Sequence, residues 1–224
     1  MIVESMNQVE IIKEVLKDLD FVNRKSKYLK KGLRRKAIKT KNKYASIMQH
    51  YKSPLKNDWL IYMNYNAKKP DGAVMLYHRN NKNEFNAYSA VLDQDMNAYI
   101  TLFTSHFFDR YNERFLRIEG LGKEKILKKF SERIKTISVK LFSDNKQTNK
   151  EMVFCRIHDG VALGYVEYLD DQYNLFHFKT FVSDSMLFES QKGDYDELSD
   201  SYIDFVKSQR INYLNQQPNY LNAS

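Results

Sequence analysis

The spacing of apolar residues changes from helical to alternating near Pro54, and this change restricts the folds open to the chain. Over residues 8–19, apolar residues recur every three or four positions and predict an amphipathic helix. Beyond Pro54, short runs alternate apolar and polar residues and are separated by polar turns. They predict four consecutive antiparallel strands, at residues 59–65, 73–79, 85–92 and 98–103.

Helical spacing returns immediately after the fourth of these runs. Thr104 or Ser105 is expected to cap a helix over about residues 106–118, because either hydroxyl can accept a bond from an unpaired backbone amide. A second helix is predicted over residues 123–137 from the apolar positions on one face. A last helix is expected near residues 198–206.

Alternating spacing resumes after a polar loop and predicts three more strands. The first two are joined by a tight turn at Asp159-Gly160, and the three lie at residues 152–158, 161–168 and 173–182. The sequence therefore predicts an α+β fold. One or more antiparallel sheets of about seven short strands are bracketed by N-terminal, central and C-terminal helices.

The chain of 224 residues is expected to fold as one unit with two parts. Weak helical spacing continues from the first helix towards Pro54, which cannot extend a helix because it lacks an amide hydrogen. We therefore expect a helical basic segment over residues 1–57, packed with an α+β domain over residues 58–217. Residues 218–224 are expected to fray.

Positive charge is concentrated in that N-terminal segment. Between Arg24 and Asn57 there are 13 Lys or Arg and no Asp or Glu, whereas the rest of the chain has 23 basic and 28 acidic residues. Such a block attracts polyanions by releasing their counterions. The residues expected to contact nucleic acid are Arg24, Lys25, Lys27, Lys30, Lys31, Arg34, Arg35, Lys36, Lys39, Lys41 and Lys43.

The same charges allow a second interpretation. The stretch over residues 184–204 contains seven acidic residues and one lysine, and it could pair with the basic segment inside the chain. Three tyrosines among the cations, Tyr28, Tyr44 and Tyr51, could stack on bases or could anchor the segment to a core.

Several classes of protein are excluded by composition. Cys155 is the single cysteine, so an internal disulfide framework or a cysteine-built zinc site is excluded, and the five histidines lack zinc-site spacing. We therefore expect no metal and no cofactor. No apolar run approaches the roughly 20 residues of a spanning helix, and acidic residues near the N terminus argue against a signal peptide. A soluble cytoplasmic protein without membrane contact is expected.

Three residues of one predicted helix form a candidate catalytic site. His106, Arg110 and Arg114 stand at i, i+4 and i+8 of the predicted helix, so they would lie about 6 Å apart along one side. Arginine binds phosphate oxygens and histidine moves protons near neutral pH, which are the requirements of metal-independent RNA cleavage. Alternatively, Asp109 and Glu113 form ion pairs with the arginines on an exposed face.

These residues also carry a family resemblance. Ser105-His106-Phe107 with Arg110 and Arg114, then a helix and a meander ending in the strand Lys179-Thr180-Phe181-Val182-Ser183, resembles the compact fold of the barnase/EndoU/RelE-type toxin ribonucleases. The resemblance spans about residues 104–183, roughly a third of the chain. It implies that His106 is the acid–base group, that Arg110 and Arg114 bind phosphate, and that Thr180 is an accessory donor. The four preceding strands and the basic segment depart from such a minimal toxin.

Alternation along the last strand adds one expectation about this site. Phe178 and Thr180 would share one face of residues 173–182, whereas His177 and Lys179 would take the other. Either Thr180 or the His177–Lys179 pair would then face His106, but not both.

The sequence thus favours a protein that acts on nucleic acid, RNA in the first place. Its most concrete form is a metal-independent ribonuclease of toxin-like or mobile-element type, for which an inhibitor protein or a homo-oligomer is the expected partner. One alternative is a non-catalytic module in which the same cations only position phosphate. Another is a protein-interaction domain whose basic and acidic runs pair with each other.

Overall fold

The computed structural model describes residues 1–41, 44–66, 69–80, 82, 84–92, 98–134, 138–142, 150–170 and 173–187. Its helices are α1 (Gln8–Thr40), α2 (Ser105–Tyr111) and α3 (Lys123–Arg133), with a π-helix (Asn112–Leu116) directly after α2 and a 3₁₀ turn (Asp184–Met186) near the end. The strands are β1 (Tyr44–Lys52), β2 (Asp58–Asn66), β3 (Lys69–Arg79), β4 (Phe85–Leu92), β5 (Ala98–Phe103), β6 (Ser138–Phe142), β7 (Lys150–Ile157), β8 (Gly160–Asp170) and β9 (Tyr173–Ser183).

The nine strands in these ranges form one sheet in the order β1-β2-β3-β4-β5-β9-β8-β7-β6. All neighbouring pairs are antiparallel except β5 and β9, which run parallel. The predicted α+β class is confirmed, but the prediction of purely antiparallel pairing is wrong. After β5, α2 and α3 lead to β6 at the far edge of the sheet, and the chain then returns through β7 and β8 to β9. This long excursion lets β9 lie beside β5 in the same direction, which a short hairpin could not do.

The sheet also has more strands than the predicted seven, because β1 and β6 were not anticipated. β1 lies where weak helical spacing was expected to continue to Pro54, so that expectation is wrong beyond Thr40. Pairing with β2 along the whole length of β1 stabilises the extended conformation there, and it overrides the weak local preference.

One face of the sheet is covered by α1, which is 33 residues long. A capping box begins it: the Glu10 amide donates to Asn7 Oδ1 at 3.0 Å, and the Asn7 amide donates to Glu10 Oε2 at 2.8 Å. A buried stripe along the helix packs on apolar side chains of β2 to β5 and β9; its helical members include Ile12, Val15, Val22, Leu29 and Leu33. The helix therefore extends well past the predicted residues 8–19.

The opposite face is covered by α2 and α3, which pack on it mainly through aromatic rings. The phenylalanines of this core are Phe85, Phe103, Phe107, Phe108, Phe130, Phe178 and Phe181. Because both faces of the sheet are covered, the architecture has three layers, helix on sheet on helix.

Two of the predicted helices end earlier than expected, and a third lies outside the described residues. The helix predicted over residues 106–118 keeps α geometry only to Tyr111, and the one predicted over 123–137 ends at Arg133. The predicted helix near residues 198–206 lies outside the described residues. No helix in the described ranges is both long and apolar enough to cross a membrane.

Candidate nucleic-acid surface and adjoining grooves

The basic residues of α1 lie on its outward side. The buried stripe Val22, Ser26, Leu29, Leu33 and Ala37 faces the sheet, and this directs the intervening cations to solvent. Nine of them are exposed: Arg24, Lys27, Lys30, Lys31, Arg34, Arg35, Lys36, Lys39 and Lys41. At 1.5 Å per residue they extend over about 25 Å. Lys25 is half-buried, and Lys43 lies outside the described residues.

No carboxylate within the described ranges neutralises this surface. None of the ion pairs formed there includes a cation of residues 24–41. Of the acidic stretch at residues 184–204, only residues up to Leu187 are described, so pairing between the two runs stays a hypothesis.

The tyrosines near these cations divide into two kinds. Tyr28 is 71% exposed and Tyr44 is 73% exposed, so both rings present apolar area to solvent. Tyr51 is half-buried and packs against the core under α1. Lys25 Nζ lies 5.6 Å from the ring centre of Tyr28 and 5.8 Å from that of Tyr51. Tyr28 and Tyr44 thus have the exposure that base stacking requires, whereas Tyr51 is an anchor.

His106 and Arg110 lie one turn apart on α2, near its start and its end. Arg110 Nε is 3.4 Å from His106 Nε2, and the Arg110 guanidinium also forms an ion pair with Glu113. The helical spacing of this pair is as predicted, and so is the ion pair of the alternative interpretation. Asp109 pairs with Lys123 instead of an arginine.

Arg114 does not continue the line of His106 and Arg110. It lies in the π-helix, whose wider turn changes the direction in which each side chain points. Its Nη1 donates to the backbone carbonyl of Phe181 at 2.6 Å, and its side chain lines a different pocket. Arg114 would continue the line of His106 and Arg110 only in an unbroken α-helix, and the π-helix interrupts that helix.

The predicted alternation of β9 is wrong after Phe178. Leu163 pairs with Thr180 and Gly164 pairs with Phe178, so Lys179 is an extra residue in the strand. One extra residue reverses the face that each following side chain takes. Phe178 and Phe181 therefore both enter the α2–α3 core, and Thr180 turns to the face that carries His177.

A groove of about 410 Å³ contains His106. It lies beside the first turn of α1, over β4, β5 and β9, and its polar lining residues include Glu84, His106, His177 and Lys179. The Tyr165 hydroxyl bonds His177 Nδ1, and Lys179 Nζ lies 5.0 Å from the Tyr165 ring centre. We name this the histidine groove. Thr180 is not among its lining residues, so the His177–Lys179 pair is the one that shares a pocket with His106.

Sequence reasoning missed Glu84 as a member of this groove. Glu84 Oε2 accepts a bond from Asn80 Nδ2 at 2.7 Å, which orients the carboxylate in the turn before β4. No local motif marks it, because it meets His106 only through the pairing of β4 with β5 and the turn into α2.

The histidine groove and the basic surface are separate. Ile11 lines the groove, whereas the run of cations begins at Arg24, about 20 Å further along α1. The groove therefore carries its own charged groups, and the cations of α1 do not line it.

The single cysteine, Cys155, lies in the core. Cys155 is fully buried, and burial raises the pKa of its thiol well above the ordinary value, which disfavours the reactive thiolate. Among the described residues, no group of three or more His, Cys, Asp or Glu side chains is arranged to hold a metal ion.

Comparison of the chain with models of known families, with curated proteins and with solved structures finds no match.

Proposed function

We propose that this protein binds nucleic acid, single-stranded RNA in the first place, through the exposed face of α1. The observation that carries the proposal is a row of nine exposed cations over about 25 Å, with no carboxylate paired to it in the described ranges. Binding RNA there releases condensed counterions, which supplies sequence-independent affinity.

Two features favour an unpaired strand over a duplex. Tyr28 lies among the cations and Tyr44 lies just beyond the helix, and each ring is more than two-thirds exposed. Splayed bases stack on such rings, whereas bases inside a duplex cannot reach them. The helix itself is held on the sheet by its buried stripe, so the backbone that carries the cations needs little reordering when RNA binds.

The test is the salt dependence of RNA binding. We expect the logarithm of the association constant for a labelled oligouridine to fall steeply with the logarithm of KCl concentration. Lys30→Gln/Lys31→Gln should reduce that slope by about 1.4, because each lost phosphate contact removes roughly 0.7 for a single strand. Fluorescence anisotropy at several salt concentrations measures it.

The matched control is Lys125→Gln/Lys129→Gln, which removes two exposed cations from α3. Its slope should equal that of the intact protein. Equal slopes for all three proteins would contradict RNA binding at the exposed face of α1. Absence of RNA affinity at physiological salt would favour the interaction-domain alternative.

A second candidate, metal-independent RNA cleavage, is favoured by the histidine groove. Glu84, His106, His177 and Lys179 line one concave surface, so a base, an acid and a cation are available together. One group would take the proton of the 2′-hydroxyl as its oxygen bonds to phosphorus, and another would protonate the departing 5′-oxygen. Lys179 would stabilise the charge on the phosphate oxygens. This assignment keeps His106 and replaces Arg110 and Arg114 by residues of β9.

The cleavage candidate is tested with RNA in the presence of EDTA. We expect cleavage by the intact protein, loss of at least a hundredfold in rate in His106→Ala, and no cleavage of a strand lacking the 2′-hydroxyl. His50→Asn is the control, because His50 is exposed and lies outside the groove. Binding without cleavage would refute this candidate and leave the α1 proposal standing.

A further inference from the structure

A second pocket, of about 430 Å³, lies beside the π-helix on the α2–α3 side of the molecule. Three arginines and a histidine line it, although they come from separate parts of the chain. Arg114 and Arg117 belong to the π-helix and its end, Arg133 ends α3, and His158 occupies the turn between β7 and β8. We name this the arginine pocket.

Arg133 is held in place by a buried carboxylate. Asp159, whose side chain is 3% exposed, accepts bonds from Arg133 Nε at 2.8 Å and Nη2 at 2.7 Å. The Tyr111 hydroxyl donates to the same carboxylate at 2.5 Å. The hydrogen bond to Asp159 raises the pKa of Arg133, so the guanidinium keeps its charge. These bonds use two of its five N–H donors.

The ring of Phe115 supports the Arg133 guanidinium from one side, with its centre 4.9 Å from the guanidinium carbon. Arg133 is therefore oriented by a bidentate pair and by a ring face. A guanidinium fixed in this way loses little entropy when it binds an anion.

The other two arginines, Arg114 and Arg117, are positioned by the π-helix and the turn that ends it. Arg114 is anchored by its bond to the Phe181 carbonyl, and Arg117 has a φ of 55°, in the left-handed region. The Arg117 amide donates to the Asn112 carbonyl at 2.6 Å, and Asn112 Nδ2 donates to the Ile118 carbonyl at 2.9 Å. A left-handed non-glycine residue costs energy, and π-helical turns occur often at functional sites. The strained turn keeps Arg117 beside Arg114.

Two carboxylates also line the arginine pocket. Asp159 is already bound by Arg133 and Tyr111, whereas Asp184 is exposed to solvent. The hydroxyls of Ser183 and Ser185, 3.2 Å apart, add hydrogen-bonding groups. Cations therefore outnumber carboxylates in the lining, even with Asp184 counted.

We propose that the arginine pocket binds a phosphomonoester. Such a group carries a charge of about −1.5 to −2 and three acceptor oxygens, which matches several convergent guanidinium groups better than a diester does. The volume of about 430 Å³ is in the range of small-molecule sites, so the pocket has room for part of an attached nucleoside. This site is independent of the α1 surface and goes beyond the proposed function.

The experiment is calorimetric titration of the intact chain with adenosine 5′-monophosphate, inorganic phosphate and adenosine. We expect the first two to bind and compete, and adenosine not to bind. Arg117→Gln should weaken binding of adenosine 5′-monophosphate about tenfold or more, because it removes a charged hydrogen-bond donor. Arg117 is exposed, so this substitution leaves the core intact.

Lys125→Gln is the matched control, since it removes one exposed cation of α3 outside the pocket. It should leave the affinity for adenosine 5′-monophosphate within about twofold. The proposal is overturned if adenosine binds as well as its monophosphate, if millimolar monophosphate does not bind, or if Arg117→Gln and Lys125→Gln behave alike.

A second arm identifies the source of the phosphate. A 5′-phosphorylated RNA that binds more tightly than its 5′-hydroxyl form, with the difference abolished in Arg117→Gln, assigns the pocket to nucleic-acid ends. Equal binding of the two RNAs, with binding of the mononucleotide retained, assigns it to free nucleotides. Lys30→Gln/Lys31→Gln should leave mononucleotide binding unchanged, so failure of the α1 proposal is distinguishable from failure of this one.

Discussion

At the scale of single residues, Asp18 connects α1 to the sheet. It is completely buried, and its Oδ2 accepts bonds from Ser53 Oγ at 2.8 Å, Asn57 Nδ2 at 2.7 Å and Trp59 Nε1 at 2.9 Å. A buried carboxylate is costly unless donors surround it, and here three converge. The donors come from the β1–β2 turn and the start of β2, so the network fixes how α1 lies on those strands.

Removing this carboxylate should destabilise the fold strongly. Asp18→Ala leaves three buried donors without their acceptor, and we expect a loss of about 3 kcal/mol in the free energy of unfolding. Asp18→Asn should cost less, because an amide oxygen can still accept. Urea denaturation followed by far-ultraviolet circular dichroism measures both variants.

Asp20→Ala provides the comparison, since Asp20 is an exposed residue of the same helix. Its free energy of unfolding should change by no more than about 0.5 kcal/mol. If Asp18→Ala were equally mild, the network would not be what holds α1 to the β1–β2 turn.

At the scale of elements, two irregularities decide which side chains meet. The extra residue at Lys179 reverses the faces of β9, and the π-helix turns Arg114 away from His106. The His106–Arg110 pairing could be predicted, because it depends only on local helical spacing. The positions of Arg114 and Thr180 could not, because regular helical and strand spacing does not continue through a π-helix or past an extra strand residue.

One residue of α1, Gly32, lowers the stability of this helix. Gly32 is exposed within the helix, and a Cβ there would meet nothing within 4 Å. Gly32→Ala should therefore raise the free energy of unfolding by about 0.5–1 kcal/mol, because alanine loses less backbone entropy in a helix. The same urea titration measures the gain.

Gly164→Ala should have the opposite effect, since a Cβ at Gly164 would lie 2.0 Å from the His177 carbonyl oxygen. That close approach belongs to the irregular pairing of β8 and β9. A loss of stability in Gly32→Ala would mean that this exposed glycine is required by α1 in a way that helix propensity does not describe.

For the molecule as a whole, the sheet separates the arginine pocket from the basic surface and the histidine groove. α1 lies on one face and carries the basic surface, with the histidine groove beside its first turn. The arginine pocket lies on the other side, where α2 and α3 pack. The parallel pairing of β5 with β9 brings His177 and Lys179 next to the strand that leads into His106. Variants of one site are therefore expected to leave the others intact.

The amino-acid sequence alone predicts the α+β class, most of the strands, the beginning of α1 and the concentration of cations in residues 24–41. These properties depend on residues close together in the chain, and local periodicity and charge express them directly. Three features follow instead from tertiary contacts: the mixed sheet, the burial of Asp18 among its three donors, and the sets of residues that line the two pockets. Each depends on pairings between distant segments, such as Ala98 with Tyr173, or on one extra residue that redirects its neighbours.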